Sequence, residues 1–172
     1  MNLLLEHLDA RHDKVSFKSG SPKLDSYLKT QASQDVKRNL TSIFVLTEDT
    51  RRIIGYFALS QSALTIDKFP DNISKKLPPK RDVPCTLLGR LAVDQRYRGK
   101  GYGRALLFYA LKKAAAISLD IASYSIIVDA QDVQAKEFYM RHGFLELKNQ
   151  PMRLFIPIRG IREVIDLWNT QE

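Results

Sequence analysis

The sequence predicts an α/β domain whose mixed, mostly antiparallel sheet is flanked by helices. With 172 residues, the chain has the length of one typical domain, so residues 1–172 are expected to form a single domain. Apolar runs typical of strands alternate with segments that repeat apolar residues at helical spacing. A glycine-rich segment joins one of these strands to one of these helices, which is where α/β sheets often bind ligands.

The first half of the chain predicts a helix followed by a β-hairpin. Ser21 is a suitable N-cap, and Pro22 suits the first helical position, where its missing N–H is not needed. Residues 42–46 and 52–64 are rich in Ile, Val, Phe and Leu, and the polar residues between them indicate a turn. Residues 68–84 contain four prolines and predict a loop or a short helix.

The second half predicts strands that alternate with helices. Asp132 is a suitable N-cap and Gly143 a suitable C-terminal glycine for a helix between them. Apolar residues at helical spacing from about residue 161 to Trp168 predict a C-terminal amphipathic helix, which packs on its own sheet or mediates a homodimer. The other expected elements are strands at 86–93, 124–128, 144–147 and 153–158 and a helix at 104–117.

Composition excludes several classes of protein. The single cysteine, Cys85, cannot form an intramolecular disulfide, and no cysteine pair accompanies the histidines, so no metal site is expected. The apolar triplet at residues 3–5 is followed by charged residues, unlike a signal peptide, and no apolar run reaches the roughly 18 residues of a membrane span. A cytoplasmic protein without membrane contact is therefore expected.

Positive charge is concentrated in residues 75–104. This segment has nine basic and two acidic residues, within a chain whose net charge is +8. Such a segment attracts phosphorylated cofactors or nucleic acid, although a solvated basic surface is the alternative. Together with Lys37, Arg38, Arg51 and Arg52, it suits the tracking of nucleic-acid phosphates.

The glycine-rich segment carries the clearest chemical signal. Three glycines let backbone N–H groups approach an anion at the positive end of a helix, so the segment predicts a phosphate-binding turn rather than a plain surface turn. It lacks the Gly-Lys-Ser/Thr of a Walker loop, and an arginine stands where the dinucleotide motif has its last glycine. The candidate residues are Arg98, Gly99, Lys100, Gly101, Tyr102, Gly103 and Arg104.

The pattern Arg98-x-x-Gly101-x-Gly103 resembles the pyrophosphate motif of the GNAT acetyltransferases. The resemblance implies the GNAT acyl-CoA N-acyltransferase fold and acetyl-CoA as cofactor. It also implies that splayed strands admit the pantetheine arm and that a backbone N–H near Val93 polarises the thioester carbonyl. The strand residues that it assigns to the cofactor are Leu91, Ala92 and Val93, and Phe138 is assigned from the second cofactor helix.

Further segments resemble the bacterial GNAT toxins that acetylate aminoacyl-tRNA and are neutralised by a ribbon-helix-helix antitoxin. These segments are Ser19-Gly20, residues 24–28, residues 55–59, residues 89–94 and residues 152–157. The resemblance implies aminoacyl-tRNA and such an antitoxin as partners. Residues 130–132 depart from the family, which often has an asparagine there, so no role of that asparagine is carried over.

Tyr139 is the candidate catalytic acid. A phenol with a pKa of about 10 can protonate a departing thiolate, although Phe138-Tyr139 also suits the packed face of a helix. An α-amino acceptor with a pKa of about 7.7 to 8.0 is partly neutral at physiological pH and needs no strong base. Asp129 and Glu146 are candidates for a water-relayed base, or they are ordinary carboxylates at the ends of the sheet.

The predicted function is an acetyl-CoA-dependent N-acetyltransferase, a toxin of a type II toxin-antitoxin module that blocks translation by acetylating aminoacyl-tRNA. One alternative is a GNAT enzyme that acetylates a small-molecule or protein amine. An alternative of another class is a noncatalytic nucleic-acid-binding module. The sequence leaves open the aminoacyl group, the antitoxin and the oligomeric state.

Overall fold

The computed structural model describes residues 3–169, with the side chains of Trp168 and Asn169 excepted. Along these residues, two short 3₁₀ turns, Ile66–Lys68 and Gln95–Tyr97, accompany the helices and strands. The helices and strands are β1 (Leu4–His7), α1 (Pro22–Thr30), α2 (Ala32–Lys37), β2 (Ser42–Thr47), β3 (Ile53–Thr65), α3 (Asp71–Ser74), β4 (Asp82–Val93), α4 (Tyr102–Ile117), β5 (Ser125–Asp129), α5 (Val133–Arg141), β6 (Leu145–Leu147), β7 (Gln150–Pro157) and α6 (Ile158–Asn169).

The strands form one mixed sheet in the order β1-β2-β3-β4-β5-β7-β6. β4 and β5 pair in parallel, whereas β1–β2, β2–β3, β5–β7 and β6–β7 are antiparallel. The expected mixed, mostly antiparallel sheet is confirmed. The chain divides into two compact units, Met1–Ser60 with Gly89–Ala110 and Gln61–Leu88 with Leu111–Glu172. That the units act as one domain stays a prediction.

The first unit has a core of strand and helix side chains. Leu28 of α1 and Ile43 and Val45 of β2 are all buried, in one apolar cluster with Tyr56 of β3. Ser21 caps α1, because its side chain accepts a hydrogen bond from the backbone of Leu24, and Pro22 is the first residue of the helix. The sequence prediction for this helix is confirmed.

The second unit has its own apolar cluster. Phe69 packs edge-on against Tyr124 and Phe155, with ring centroids 5.6 and 5.3 Å apart. Cys85 is fully buried in the same cluster, so its thiol serves packing.

Several element bounds differ from those predicted. β1 and α2 were not expected: β1 has only four residues, and Ala32 is the one buried residue of α2, so neither has a strong apolar pattern. β4 begins at Asp82, because Val83 is buried and Pro84 exposed in the alternation of a strand, although the prolines indicated a loop.

The C-terminal helix α6 is confirmed but begins at Ile158, three residues before the expected start. Ile158 and Ile161 are buried, and α6 packs against β5 and β7 of its own unit. The expectation for Trp168 falls on a side chain outside the described residues. Among residues 3–169, no helix has the length and apolarity needed to span a membrane.

Candidate active site

The glycine-rich segment precedes α4 directly. Gly99 and Gly101 have φ of +74° and +81°, in the left-handed region that glycine adopts at little cost. A Cβ atom added at either residue would meet no atom within 4 Å. The backbone therefore borders open space at the N-terminus of a 16-residue helix, and this is an arrangement that holds a phosphate.

Arg98 connects this segment to the chain before α1. Its guanidinium donates a hydrogen bond to the carbonyl oxygen of Ser19. Gly20 has a φ of +91°, which favours glycine, and a Cβ there would lie 2.5 Å from Nη2 of Arg98, so the arginine side chain would have to shift. Arg98 thus has a structural contact in addition to the cofactor role that the sequence predicts.

The other basic residues of the segment are exposed. Nζ of Lys100 lies 5.6 Å from the centre of the Tyr97 ring. Arg104 is exposed on the first turn of α4. Both cations lie on the segment or the helix turn that borders the open space, as an anion site requires.

Asp94 fixes the turn that leads into the glycine-rich segment. The carboxylate accepts hydrogen bonds from the backbone N–H of Lys18 and Arg96 at 3.1 and 2.9 Å and from the Arg96 guanidinium at 2.8 Å. Burial alone would raise the pKa of Asp94, but the hydrogen bonds from Arg96 and Lys18 lower it below its usual value. Asp94 therefore stays ionised and ties β4 to the segment before α1.

Gly55 lets β3, β4 and α4 approach closely. A Cβ at Gly55 would lie 2.7 Å from the carbonyl oxygen of Ala92 and would overlap the Leu106 side chain of α4. Ala92 is buried, and its neighbours Leu91 and Val93 are half-buried. The missing side chain of Gly55 thus sets the position of α4 against the three strand residues predicted to contact the cofactor.

The pairing of β4 with β5 is short. It runs from Cys85 opposite Ser125 to Leu88 opposite Val128. β4 continues for five residues past this register, to Val93. Leu91, Ala92 and Val93 therefore lie on the part of β4 beyond its pairing with β5, and their contact with the pantetheine arm stays a prediction.

Tyr139 and Phe138 lie on α5, in the second unit. Asp132 caps this helix by accepting a hydrogen bond from the N–H of Ala135 at 2.7 Å, as predicted. Tyr139 is buried against Phe138 and Phe144, with ring centroids 5.3 Å apart in both pairs. Burial raises the pKa of Tyr139, so the phenol is protonated at physiological pH.

The two candidate bases form ion pairs. Oδ1 of Asp129 lies 3.1 Å from the buried Nε of Arg153, at an angle unsuited to a hydrogen bond. Glu146 forms an ion pair with Lys136. Because each carboxylate already has a cationic partner, the geometry favours a structural role over that of a base for both.

A comparison with protein families identifies the chain. Residues 7–144 match the model of the acetyltransferase (GNAT) family. The chain belongs to the GNAT acetyltransferases. It is therefore an N-acetyltransferase with the α/β GNAT fold, and acetyl-CoA is the acetyl donor of this family. The noncatalytic alternative is not supported.

Relatives match over nearly their whole length. A probable toxin TacT from Sinorhizobium fredii is 30% identical over 171 residues, 94% of both chains. A tRNA-acetylating toxin from Mycobacterium tuberculosis is 31% identical over 153 residues, 89% of this chain and 90% of the relative. The solved structure of AtaT complexed with acetyl-methionyl-tRNAfMet is 27% identical, with a TM-score of 0.87, and the match covers 95% of this chain and 99% of that one.

Two structurally important residues carry signals that sequence reasoning did not use. Asp94 stands before a short turn, where an aspartate often accepts a hydrogen bond from the backbone two residues on. Gly55 interrupts an apolar strand, which indicates a close approach of another segment.

Proposed function

We propose that this GNAT enzyme acetylates the α-amino group of aminoacyl-tRNA and so blocks translation, as the toxin of a type II toxin-antitoxin module. The observation that carries the proposal is the likeness over about nine-tenths of the chain to a tRNA-acetylating toxin. A ribbon-helix-helix antitoxin is the proposed inhibitor. Because charged tRNA is used in the cytoplasm, the proposal assigns the reaction to that compartment.

The glycine-rich segment and α4 are the proposed pyrophosphate site. Acetyl-CoA supplies the acetyl group as an activated thioester. The backbone at Gly99 and Gly101 is accessible to a phosphate, because a Cβ on either glycine would meet no atom within 4 Å. Lys100 and Arg104 balance the negative charge, and the positive end of α4 adds to their effect.

The proposed cofactor strand is the end of β4. Leu91, Ala92 and Val93 would line the pantetheine arm, and Phe138 would contribute an apolar surface from α5. The backbone N–H near Val93 would donate to the oxygen of the thioester carbonyl, which gains negative charge as the amine attacks. Gly55 supports this geometry by holding α4 close to Ala92.

Tyr139 is the proposed general acid. Burial keeps its phenol protonated at physiological pH, so the hydroxyl is available as a donor to the departing sulfur. With a thiol pKa of about 8.5 and a phenol pKa above 10, full proton transfer from the phenol to the thiolate is uphill by at least about 2 kcal/mol. The phenol would therefore stabilise the sulfur through a hydrogen bond that strengthens as the C–S bond breaks, and the proton that the attacking amine loses would replace any proton passed to the sulfur.

The acceptor amine fits a site without a strong base. An α-amino group has a pKa of about 7.7 to 8.0, whereas a lysine has one of about 10.4. The two carboxylates that the sequence offers as candidate bases, Asp129 and Glu146, are both ion-paired. An enzyme with no committed base is better matched to an aminoacyl ester than to a lysine side chain.

Exposed basic residues are the proposed contacts for tRNA phosphates. Arg96 is not included among them, because its guanidinium already forms an ion pair with Asp94. Each phosphate that they neutralise releases counterions, so binding is expected to weaken as salt increases. These residues are Lys75, Lys76, Lys80 and Arg81 in one unit and Arg38, Arg51 and Arg52 in the other.

Transfer of labelled acetyl from acetyl-CoA to charged and uncharged tRNA tests the proposal. We expect label on charged tRNA alone and a loss of about a hundredfold or more in Tyr139→Phe, as for removal of a general acid. Tyr124→Phe is the matched control, because Tyr124 packs against Phe69 in the same unit and has no assigned role. Label on small amines or protein amines with none on tRNA would overturn the proposed acceptor.

A further inference from the structure

Arg90 is a half-buried cation on β4 that has no anionic partner among the described residues. It lies two residues beyond the last pair of the β4–β5 register, on the same strand as Ala92. Its guanidinium carbon is 3.4 Å from the centre of the Tyr27 ring. Within residues 3–169, no carboxylate pairs with its guanidinium and no oxygen accepts a hydrogen bond from it.

The tyrosine beneath the guanidinium is firmly held. Tyr27 belongs to the buried core cluster, and its hydroxyl donates a hydrogen bond to Oδ2 of Asp35 at 2.8 Å. Burial raises the pKa of Tyr27 to about 12, with a further contribution from the hydrogen bond to Asp35. The phenol is therefore neutral at physiological pH, and its ring presents an electron-rich face to Arg90.

The Tyr27 ring stabilises the positive charge of Arg90 but accepts no hydrogen bond from the N–H groups in the plane of the guanidinium. An aromatic face stabilises a stacked guanidinium, whereas the N–H groups of the guanidinium point outward in its own plane. Two other arginines in this unit, Arg11 and Arg96, have carboxylate partners: Glu6 and Asp9 for the first, and Asp94 for the second. The ring therefore fixes the position of the guanidinium, and its N–H donors, which are not buried, remain open to water and to an anionic ligand.

We propose that Arg90 binds a phosphate near the 3′ end of the acceptor tRNA, with Tyr27 and Asp35 as positioning residues. This inference rests on the proposed function. In aminoacyl-tRNA the carboxyl group of the amino acid is esterified, so phosphates are the anions next to the reacting amine. The planar fork of a guanidinium fits two phosphate oxygens at once, which a lysine ammonium cannot do.

The kinetics of acetyl transfer to charged tRNA at a series of salt concentrations test this inference. For Arg90→Gln we expect KM to rise about tenfold or more, since one charge-assisted contact is lost, while kcat changes little. The slope of log KM against log salt should fall by about one. Arg90→Lys should restore the slope but only part of the KM, because it keeps the charge and loses the fork.

Two controls separate binding from folding. Arg11→Gln removes the same charge from an arginine already neutralised by Glu6 and Asp9, and should leave KM and slope unchanged. The affinity for acetyl-CoA should be equal in Arg90→Gln, Arg90→Lys and the parent enzyme. Tyr27→Phe keeps the ring but loses the Asp35 hydrogen bond, and should raise KM less than Arg90→Gln does.

An unchanged KM and slope in Arg90→Gln would overturn the inference while the proposed function stands. Equal losses of kcat and of acetyl-CoA affinity would also overturn it, because they indicate a structural role. Absence of transfer to charged tRNA by the parent enzyme would instead overturn the proposed function and, with it, the tRNA ligand of Arg90.

Discussion

Replacing Gly55 by alanine should displace α4 from β4. The new Cβ would lie 2.7 Å from the carbonyl oxygen of Ala92, whereas ordinary contacts begin at 3.4 Å, so the atoms must separate by 0.7 Å (3.4 minus 2.7). The oxygen belongs to the backbone of a central strand and cannot rotate away, and Leu106 of α4 closes the other side. Overpacking of this kind costs about 1 to 3 kcal/mol of the free energy of unfolding.

Equilibrium denaturation measures that cost, and calorimetry measures the accompanying loss of acetyl-CoA affinity. Gly160→Ala is the matched control, since the same methyl group on helix α6 meets nothing within 4 Å. The control should be neutral or should raise the free energy of unfolding by about 0.5 to 1 kcal/mol, because alanine favours a helix. Equal stability of Gly55→Ala and the parent protein, with unchanged acetyl-CoA affinity, would refute the role assigned to Gly55.

Three further predictions concern the loop, its anchor and the buried phenols. Gly101→Ala should lower the free energy of unfolding by about 1 kcal/mol, because alanine is strained at a φ of +81°. It should reduce the free energy of acetyl-CoA binding by more than that amount, which calorimetry measures. Asp94→Asn should lower the free energy of unfolding by about 2 kcal/mol, because the Arg96 guanidinium loses its charged partner; denaturation checks this. Burial raises the pKa of Tyr27, Tyr56 and Tyr139. The free energy of unfolding that these neutral phenols contribute is therefore complete below about pH 10, and above it falls by up to about 1.4 kcal/mol per pH unit for each phenol. Thermal melts at a series of pH values measure this loss.

The sequence predicts the parts of the fold whose signals are local. The cap at Ser21, the N-cap at Asp132 and the glycine-rich segment before α4 are confirmed because each depends on a few neighbouring residues. β1 was missed because an edge strand of four residues has too few positions for an apolar alternation to be visible.

In the candidate site, too, the sequence predicts local features but not contacts between distant residues. The prediction that residues 98–104 bind phosphate rests on glycines and charge, which are local features. The contact of Arg98 with Ser19, by contrast, joins residues 79 positions apart. The pairing of Asp129 with Arg153 depends on the register of β5 with β7, which places the two residues opposite each other. No local pattern records these long-range contacts, so only the fold shows that these carboxylates and guanidiniums are already engaged.

Locating the transferred acetyl group tests the central claim most directly. Charged tRNA treated with the enzyme and acetyl-CoA would be hydrolysed at the aminoacyl ester, and the released amino acid analysed by mass spectrometry. The account predicts the N-acetyl amino acid, with no acetyl group on the remaining tRNA. An unmodified amino acid, with acetyl groups on the nucleotides or on neither product, would contradict it.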